Sequence, residues 1–199
     1  VCSSDLIGAG KSSVSAAMRQ RGAHILDADR LARELLVPGS EALAAVVARF
    51  GEAFLTPDGE LDRAALGQRI FADADERAAL DAILHPRINA LEARRAAAIG
   101  ERFPNAVVVY DAALLLESGG DEGVDRVAVV DVAPERQLER ATARGDRSPD
   151  QVRAIMAAQW PRDRRLRAAD DVIDNDGPWA ETEAQVDRVI SQIQHNYSE

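Results

Sequence analysis

Three features of the sequence predict an α/β protein whose parallel sheet is wound between helices and interrupted by a helical insert. Short apolar runs alternate with helix-period segments at both ends of the chain. Residues 30–103, between those ends, carry helical spacing throughout. A glycine-rich turn, Ile7-Gly8-Ala9-Gly10-Lys11-Ser12-Ser13, leads directly into the first helical pattern. In such open sheets ligands gather at the carboxyl ends of the strands.

Taken in order, the first helix is expected over Ser12 to Arg21, with Gly22 ending it. Ala23 to Leu26 is a short apolar strand that delivers Asp27-Ala28-Asp29. One of those acids suits chemistry and the other suits capping the helix that starts near Arg30. Leu31, Leu35 and Leu36 begin a run of short helices punctuated by Pro38-Gly39 and Pro57-Asp58-Gly59. Asp73 to Leu84 predicts a further helix, and Pro86 is expected at the first position of a separate one over Arg87 to Arg102. His85, beside that start, reads as a structural hydrogen bonder more readily than as a ligand. The β-branched run Asn105 to Tyr110 ends in Asp111, and Val127 to Asp131 repeats the pattern. At least one of these two acids is expected to be only a strand end or a cap. Helices follow over Glu135 to Arg144 and from Ser148-Pro149, then a strand over Asp171 to Asp174 and a final helix over Trp179 to Gln194.

The composition restricts the function. With 46% hydrophobic and 29% charged residues over 199 positions, the chain suits one core with a small appended subdomain. A net charge of -10 argues against a broad nucleic-acid surface. Seven arginines against three aspartates between Arg144 and Arg167 form a local exception that suits a small polyanion or a solvated helix face. No apolar run approaches a membrane span, and no secretion signal is read at the start. The single cysteine, Cys2, fits a reducing cytoplasm. His24, His85 and His195 are scattered, no nucleophile elbow occurs, and no Asn-Lys-x-Asp string marks a guanine site.

The glycine turn carries the chemistry. Glycines let backbone N–H groups turn toward a phosphate, and a lysine and a hydroxyl residue are needed as the helix begins. Gly8 and Gly10 supply the conformational freedom, and Lys11 is placed for the β- and γ-phosphates. Ser12 suits Mg²⁺, and the helix dipole favours an anion at the loop amides from Gly8 to Ser13. Lys11 is the only lysine in a chain that otherwise uses arginine, which points to a compact ammonium at this position. The plainer alternative is a glycine turn capping an ordinary helix. Asp5 stands where the leading glycine of such a loop belongs, and its carboxylate would repel bound phosphate. The residues ahead of it offer no strand of normal length, so the first strand is expected to be missing.

Further strings fall in a specific order: Leu26-Asp27-Ala28-Asp29 before Leu31-Ala32-Arg33, Leu84-His85-Pro86, and Asp111 with Leu114-Leu115 and Glu117. Gln137-Leu138-Glu139-Arg140 follows, then Gln159 with Arg162 and Arg165-Leu166, and Ala169-Asp170-Asp171-Val172-Ile173-Asp174-Asn175. In this order and spacing the chain resembles the dephospho-CoA kinase family along nearly its whole length. The resemblance implies a P-loop NTPase-type parallel sheet flanked by helices, with a helical acceptor-binding insert and a helical lid. The core would be residues 1–29, 104–139 and 169–199, the insert 30–103 and the lid 140–168. It implies ATP with Mg²⁺ and transfer of the γ-phosphoryl group to the ribose 3′-hydroxyl of dephospho-CoA.

By the same resemblance Asp29 accepts the proton of the attacking hydroxyl, with Lys11 and Arg140 catalytic and Ser12 and Asp111 serving the metal. Gly8, Ala9, Gly10, Lys11, Ser12, Ser13 and Arg144 would bind the nucleotide, and Asn175 would lie in the base-contacting loop. Val1 to Leu6 depart from the family's pattern and are expected to be foreign to the gene. Asp111-Ala112-Ala113 departs mildly, and the loop Gly145-Asp146-Arg147 differs little. The competing expectations are a P-loop kinase for another small alcohol and a nucleotide-binding remnant with impaired catalysis.

Overall fold

The computed structural model describes residues 2–4, 7–113, 115–117, 123–145 and 148–196. Asp5, Leu114, Asp146 and Arg147, singled out above, lie outside the described residues. The chain divides into two compact units, Val1–Asp27 with Ile99–Glu199 and Ala28–Ala98.

The first unit is built on strands β1 (Cys2–Ser4), β2 (His24–Asp27), β3 (Val108–Asp111), β4 (Val127–Asp131) and β5 (Asp171–Asp174). They form a five-stranded sheet in the order β2-β3-β1-β4-β5, and every pairing is parallel. The expectation that the first strand is missing is therefore overturned. Cys2 pairs with Tyr110 on one side and Val127 on the other, so three residues occupy the centre of the sheet. The inner edges of β3 and β4 would otherwise leave unmet N–H and C=O groups in the interior, and a short strand meets them with backbone alone.

Helix α1 (Lys11–Gln20) turns Val14, Ala17 and Met18 inward, and helix α9 (Trp179–Asn196) turns Val186, Val189, Ile190 and Ile193 inward. Both stripes follow the helical period and pack with Ala9, Val109, Val130 and Ile173 in one core. Truncating the fully buried Met18 to alanine would cost about 2–5 kcal/mol, because the space it fills is close-packed. Gly22, at φ 89°, closes α1: its N–H donates to the Arg19 carbonyl, and the Ala23 N–H donates to Met18. Every residue of β4 is buried, as a continuous apolar run inside a parallel sheet requires. Helices α6 (Pro134–Ala143), α7 (Pro149–Ala158) and α8 (Arg162–Ala168) complete this unit. Ser148 and Gln151 form the capping box that opens α7.

The second unit holds α2 (Ala28–Leu35), α3 (Glu41–Phe50), a 3₁₀ turn (Glu52–Phe54), α4 (Arg63–Ala72) and most of α5 (Ala74–Arg102). Ser40 and Asp62 cap α3 and α4 through their side chains. Glu34 on α2 accepts from Arg95 on α5 and from Arg30, which holds its carboxyl below the usual range, chiefly through Arg95. One expectation fails here: α5 is a single helix with Pro86 in its middle, not two helices. A proline removes one helical N–H and crowds the carbonyls a turn earlier. Next to it, the Arg87 guanidinium donates to the Ile83 carbonyl at 2.6 Å. His85 faces solvent on this helix, 3.7 Å from Asp81 one turn before it.

Among the described residues no helix is long and apolar enough to cross a membrane.

Candidate active site

The strands β2, β3, β4 and β5 all end in aspartate: Asp27, Asp111, Asp131 and Asp174. Asp27 is in register with Asp111, and Asp131 with Asp174, so the carboxyl edge of the sheet presents a row of acids. The glycine turn comes after β1 in the chain and opens α1. Gly8 and Gly10 take φ 79° and 88°, the left-handed region that favours glycine. A Cβ on Gly8 would stand 2.5 Å from the Gln137 carbonyl oxygen, so α6 presses on the loop at this point. No side chain occupies the cap position of α1, which leaves the positive end of the helix dipole to an anion.

The Lys11 ammonium forms an ion pair with Asp111 Oδ1, and the Ser15 hydroxyl donates to Asp111 Oδ2 at 2.6 Å. Lys11 and Ser15 are one helical turn apart on α1, so they share a face and hold the two oxygens of one carboxylate. The side chains of Lys11 and Asp111 are only 12% and 5% exposed, so the pair works in a partly desolvated place where its charges are poorly screened. Asp131 has a different partner. Arg162 at the start of α8 grips it with two nitrogens, Nε donating at 2.8 Å, and Asp131 in turn raises the pKa of that guanidinium. Of the two strand-end acids, Asp111 joins the loop lysine and Asp131 anchors the arginine-rich helix.

Asn175 directly follows β5 and is 6% exposed. Its Nδ2 donates to the Ala9 carbonyl at 2.7 Å, and its Oδ1 accepts from the Thr182 hydroxyl at 3.1 Å. Arg140 on α6 reaches the same neighbourhood: one guanidinium nitrogen is 3.9 Å from where a Cβ on Gly10 would sit. Arg144 caps the end of α6 and is exposed. Gln159 Oε1 accepts from the Ile7 N–H at 3.4 Å, and the Glu117 carboxylate accepts from the Trp160 N–H at 3.0 Å, tying the segment before α8 to the loop and to the chain after β3. The Arg164 guanidinium sits over the Trp160 ring, its Cζ 3.4 Å from the ring centre.

Ser12 and Ser13 are exposed in the first turn of α1. Asp29 is exposed in the first turn of α2, two residues after Asp27, and it belongs to the second unit. The structure thus gathers Gly8, Ala9, Gly10, Lys11, Arg140, Asp111 and Asn175 around one loop. Ser15, Arg162 and Thr182 were missed as partners. Ser15 alone left a local signal, its four-residue spacing from Lys11; the other two become visible only once the strands are placed.

Comparison with known proteins gives the following. A family model described as dephospho-CoA kinase matches residues 4–194. The dephospho-CoA kinase of Streptomyces avermitilis is 47% identical over 191 residues, covering 95% of this chain and 91% of its own. That of Thermobifida fusca is 44% identical over 188 residues, covering 94% and 92%. Among solved structures, TT1252 from Thermus thermophilus superposes with a TM-score of 0.80 at 28% identity, covering 96% of this chain and 95% of that one. Dephospho-CoA kinase from Campylobacter jejuni gives 0.71 at 23% identity over 98% and 96%, a likeness of fold.

Proposed function

This chain belongs to the dephospho-CoA kinase family and carries out the last step of coenzyme A biosynthesis, and we propose that its glycine loop, Lys11, Arg140 and Asp29 divide the chemistry among them. The nucleotide is ATP, and its γ-phosphoryl group goes to the ribose 3′-hydroxyl of dephospho-CoA. The bond from the γ-phosphorus to the β,γ-bridging oxygen breaks, a bond to the 3′-oxygen forms, ADP leaves, and the hydroxyl proton passes to Asp29. Phosphoryl transfer asks a protein mainly for alignment and for charge where charge develops. Amides from Gly8 to Ser13 cradle the β-phosphate, and Lys11 spans from Asp111 to the γ-phosphate oxygens. Arg140, beside Gly10, adds positive charge at the transferring group, with Arg144 one turn further along α6. Asp29, exposed in the first turn of α2, is the carboxylate proposed to accept the proton of the attacking hydroxyl.

The donor chemistry also suits Mg²⁺. Mg²⁺ ordinarily takes one or two protein oxygens and completes its shell with phosphate and water. The Ser12 hydroxyl and the lone pairs that Asp111 retains beyond Lys11 and Ser15 are the residues that would hold it. When bound, the ion neutralises charge on the β- and γ-phosphates.

The single observation that carries this reading is the Lys11 ammonium, seated on a buried strand-end carboxylate at the mouth of a loop whose two glycines are both left-handed. ADP release should require dephospho-CoA and should not be supported by shikimate. Asp29→Asn should lower kcat by about 10²–10⁴-fold while the KM for ATP stays within about twofold. ADP release indifferent to the acceptor would overturn the assignment, and an unchanged kcat in Asp29→Asn would remove the proposed base.

A further inference from the structure

We propose that Asn175 is a positioning residue for the phosphate loop: its amide, fixed from behind by Thr182, aims the peptide between Ala9 and Gly10. This rests on the nucleotide occupying that loop, as set out above. A trans peptide is planar, with its C=O and N–H pointing in opposite directions. Holding the Ala9 carbonyl at 2.7 Å therefore sends the Gly10 N–H to the opposite side of the chain, where it serves as a donor to phosphate. The orientation of the amide is determined by its partners. Thr182 can donate to Oδ1 and the Ala9 carbonyl can only accept, so Nδ2 must face Ala9.

The same amide explains the glycine. A Cβ on residue 10 would lie 2.4 Å from Asn175 Nδ2, so Asn175 fills the space a side chain would take, in addition to the constraint from φ 88°. Its own position is secured twice over. The Asn175 N–H donates to the Asp131 carbonyl at 2.8 Å, and Thr182, fully buried, also lies 3.2 Å from the Asp174 carbonyl. Asn175 thus joins the end of β5 and the first turns of α9 to the loop after β1. Among the described residues, charged groups on the segments around it include Arg140 on α6, Asp131 held by Arg162, Asp174 at the end of β5, and Asp176 held by Arg136.

The test compares Asn175→Asp and Thr182→Val with the wild type, reading the dissociation constant of a non-hydrolysable ATP analogue across pH. At alkaline pH the variant carboxylate faces the Ala9 carbonyl with no proton to donate, and binding should weaken about tenfold or more relative to wild type at the same pH. As pH falls and the buried carboxyl takes up a proton, it regains a donor and the ratio of the two constants should move back toward one. Thr182→Val, which leaves Oδ1 without its donor, should weaken binding about threefold or more at all pH values. A ratio for Asn175→Asp that is flat with pH, alongside a lowered melting temperature, would reduce Asn175 to a fold contact and overturn the proposal. If Asn175→Asp does not fold, unchanged binding by Thr182→Val overturns it equally. Failure of the wild type to bind the analogue would overturn the nucleotide reading itself, which separates the two failures.

Discussion

Lys11 and Asp111 form a pair whose stability and catalytic roles can be separated by a double-mutant cycle. Lys11→Met keeps the length of the side chain and removes its charge. Asp111 is then left 5% exposed with the Ser15 hydroxyl still donating to it. Breaking a buried ion pair on one side costs about 3–5 kcal/mol, and because Ser15 remains and Lys11 is 12% exposed, the lower end, about 3 kcal/mol, applies. At about 2–4 °C per kcal/mol for a domain of this size, the melting temperature should fall by about 6–12 °C. Asp111→Asn alone takes away the carboxylate that pairs with the ammonium and should also destabilise. In the double variant neither charge remains, so stability should return to within about 1 kcal/mol of wild type. Activity should not return. Without the ammonium at the γ-phosphate, kcat should stay about 10²–10³-fold down in Lys11→Met and in the double variant alike. The measurements are urea denaturation and ADP release with dephospho-CoA, run on all four proteins. Purely additive stabilities would show that the pair does not couple, and recovery of turnover in the double variant would refute a direct role for Lys11 in the reaction.

Two further outcomes follow from single positions. Gly8→Ala combines a left-handed backbone with a Cβ 2.5 Å from the Gln137 carbonyl oxygen and 3.3 Å from the Ala141 nitrogen, both of them α6 backbone. It should cost about 2–5 kcal/mol, and a melting temperature within about 2 °C of wild type would show that α6 yields freely. Glu92, half-buried on α5, has its pKa raised from 4.5 chiefly by burial. Below pH 4.5 both folded and unfolded forms are protonated and there is no penalty; as pH rises past 4.5 the unfolded form ionises first and stability is lost until the folded carboxyl has titrated. Glu92→Gln should therefore match wild type at acid pH and exceed it at neutral pH in urea denaturation, whereas an equal difference at both would contradict the shift.

The parts of this molecule legible in the sequence are those whose cause is local. The loop declares itself because two glycines, a lysine and a serine act within a few residues of one another, and Ser148-Pro149 opens α7 for the same reason. The break expected at Pro86 fails because propensity is local while the surroundings of a 29-residue helix are not. The central strand was missed because its side chains carry no strand signal; what recruits it is backbone pairing with β3 and β4. Asp111 and Asp131 end similar apolar runs. Only folding separates them, by bringing Lys11 from 100 residues away to one and Arg162 from 31 residues away to the other. The contact of Asn175 with Ala9 spans 166 residues and leaves no trace in the spacing.

The row of strand-end acids also explains how a chain of net charge -10 can hold a triphosphate. Lys11 and Arg162 are each presented by a buried carboxylate, Asp111 and Asp131 respectively, so each cation is held in place rather than left on a flexible stem. On the reading proposed above, Lys11 fixed in this way loses little side-chain entropy when phosphate arrives, and at 12% exposure its field is only partly screened. The carboxylates reduce the net charge of the site, yet the loop amides and the α1 dipole add positive potential. Affinity for phosphate is then set by aligned donors more than by the number of basic residues. On the proposal made above, the peptide whose carbonyl Asn175 holds supplies one of those donors, beside the charge on Lys11.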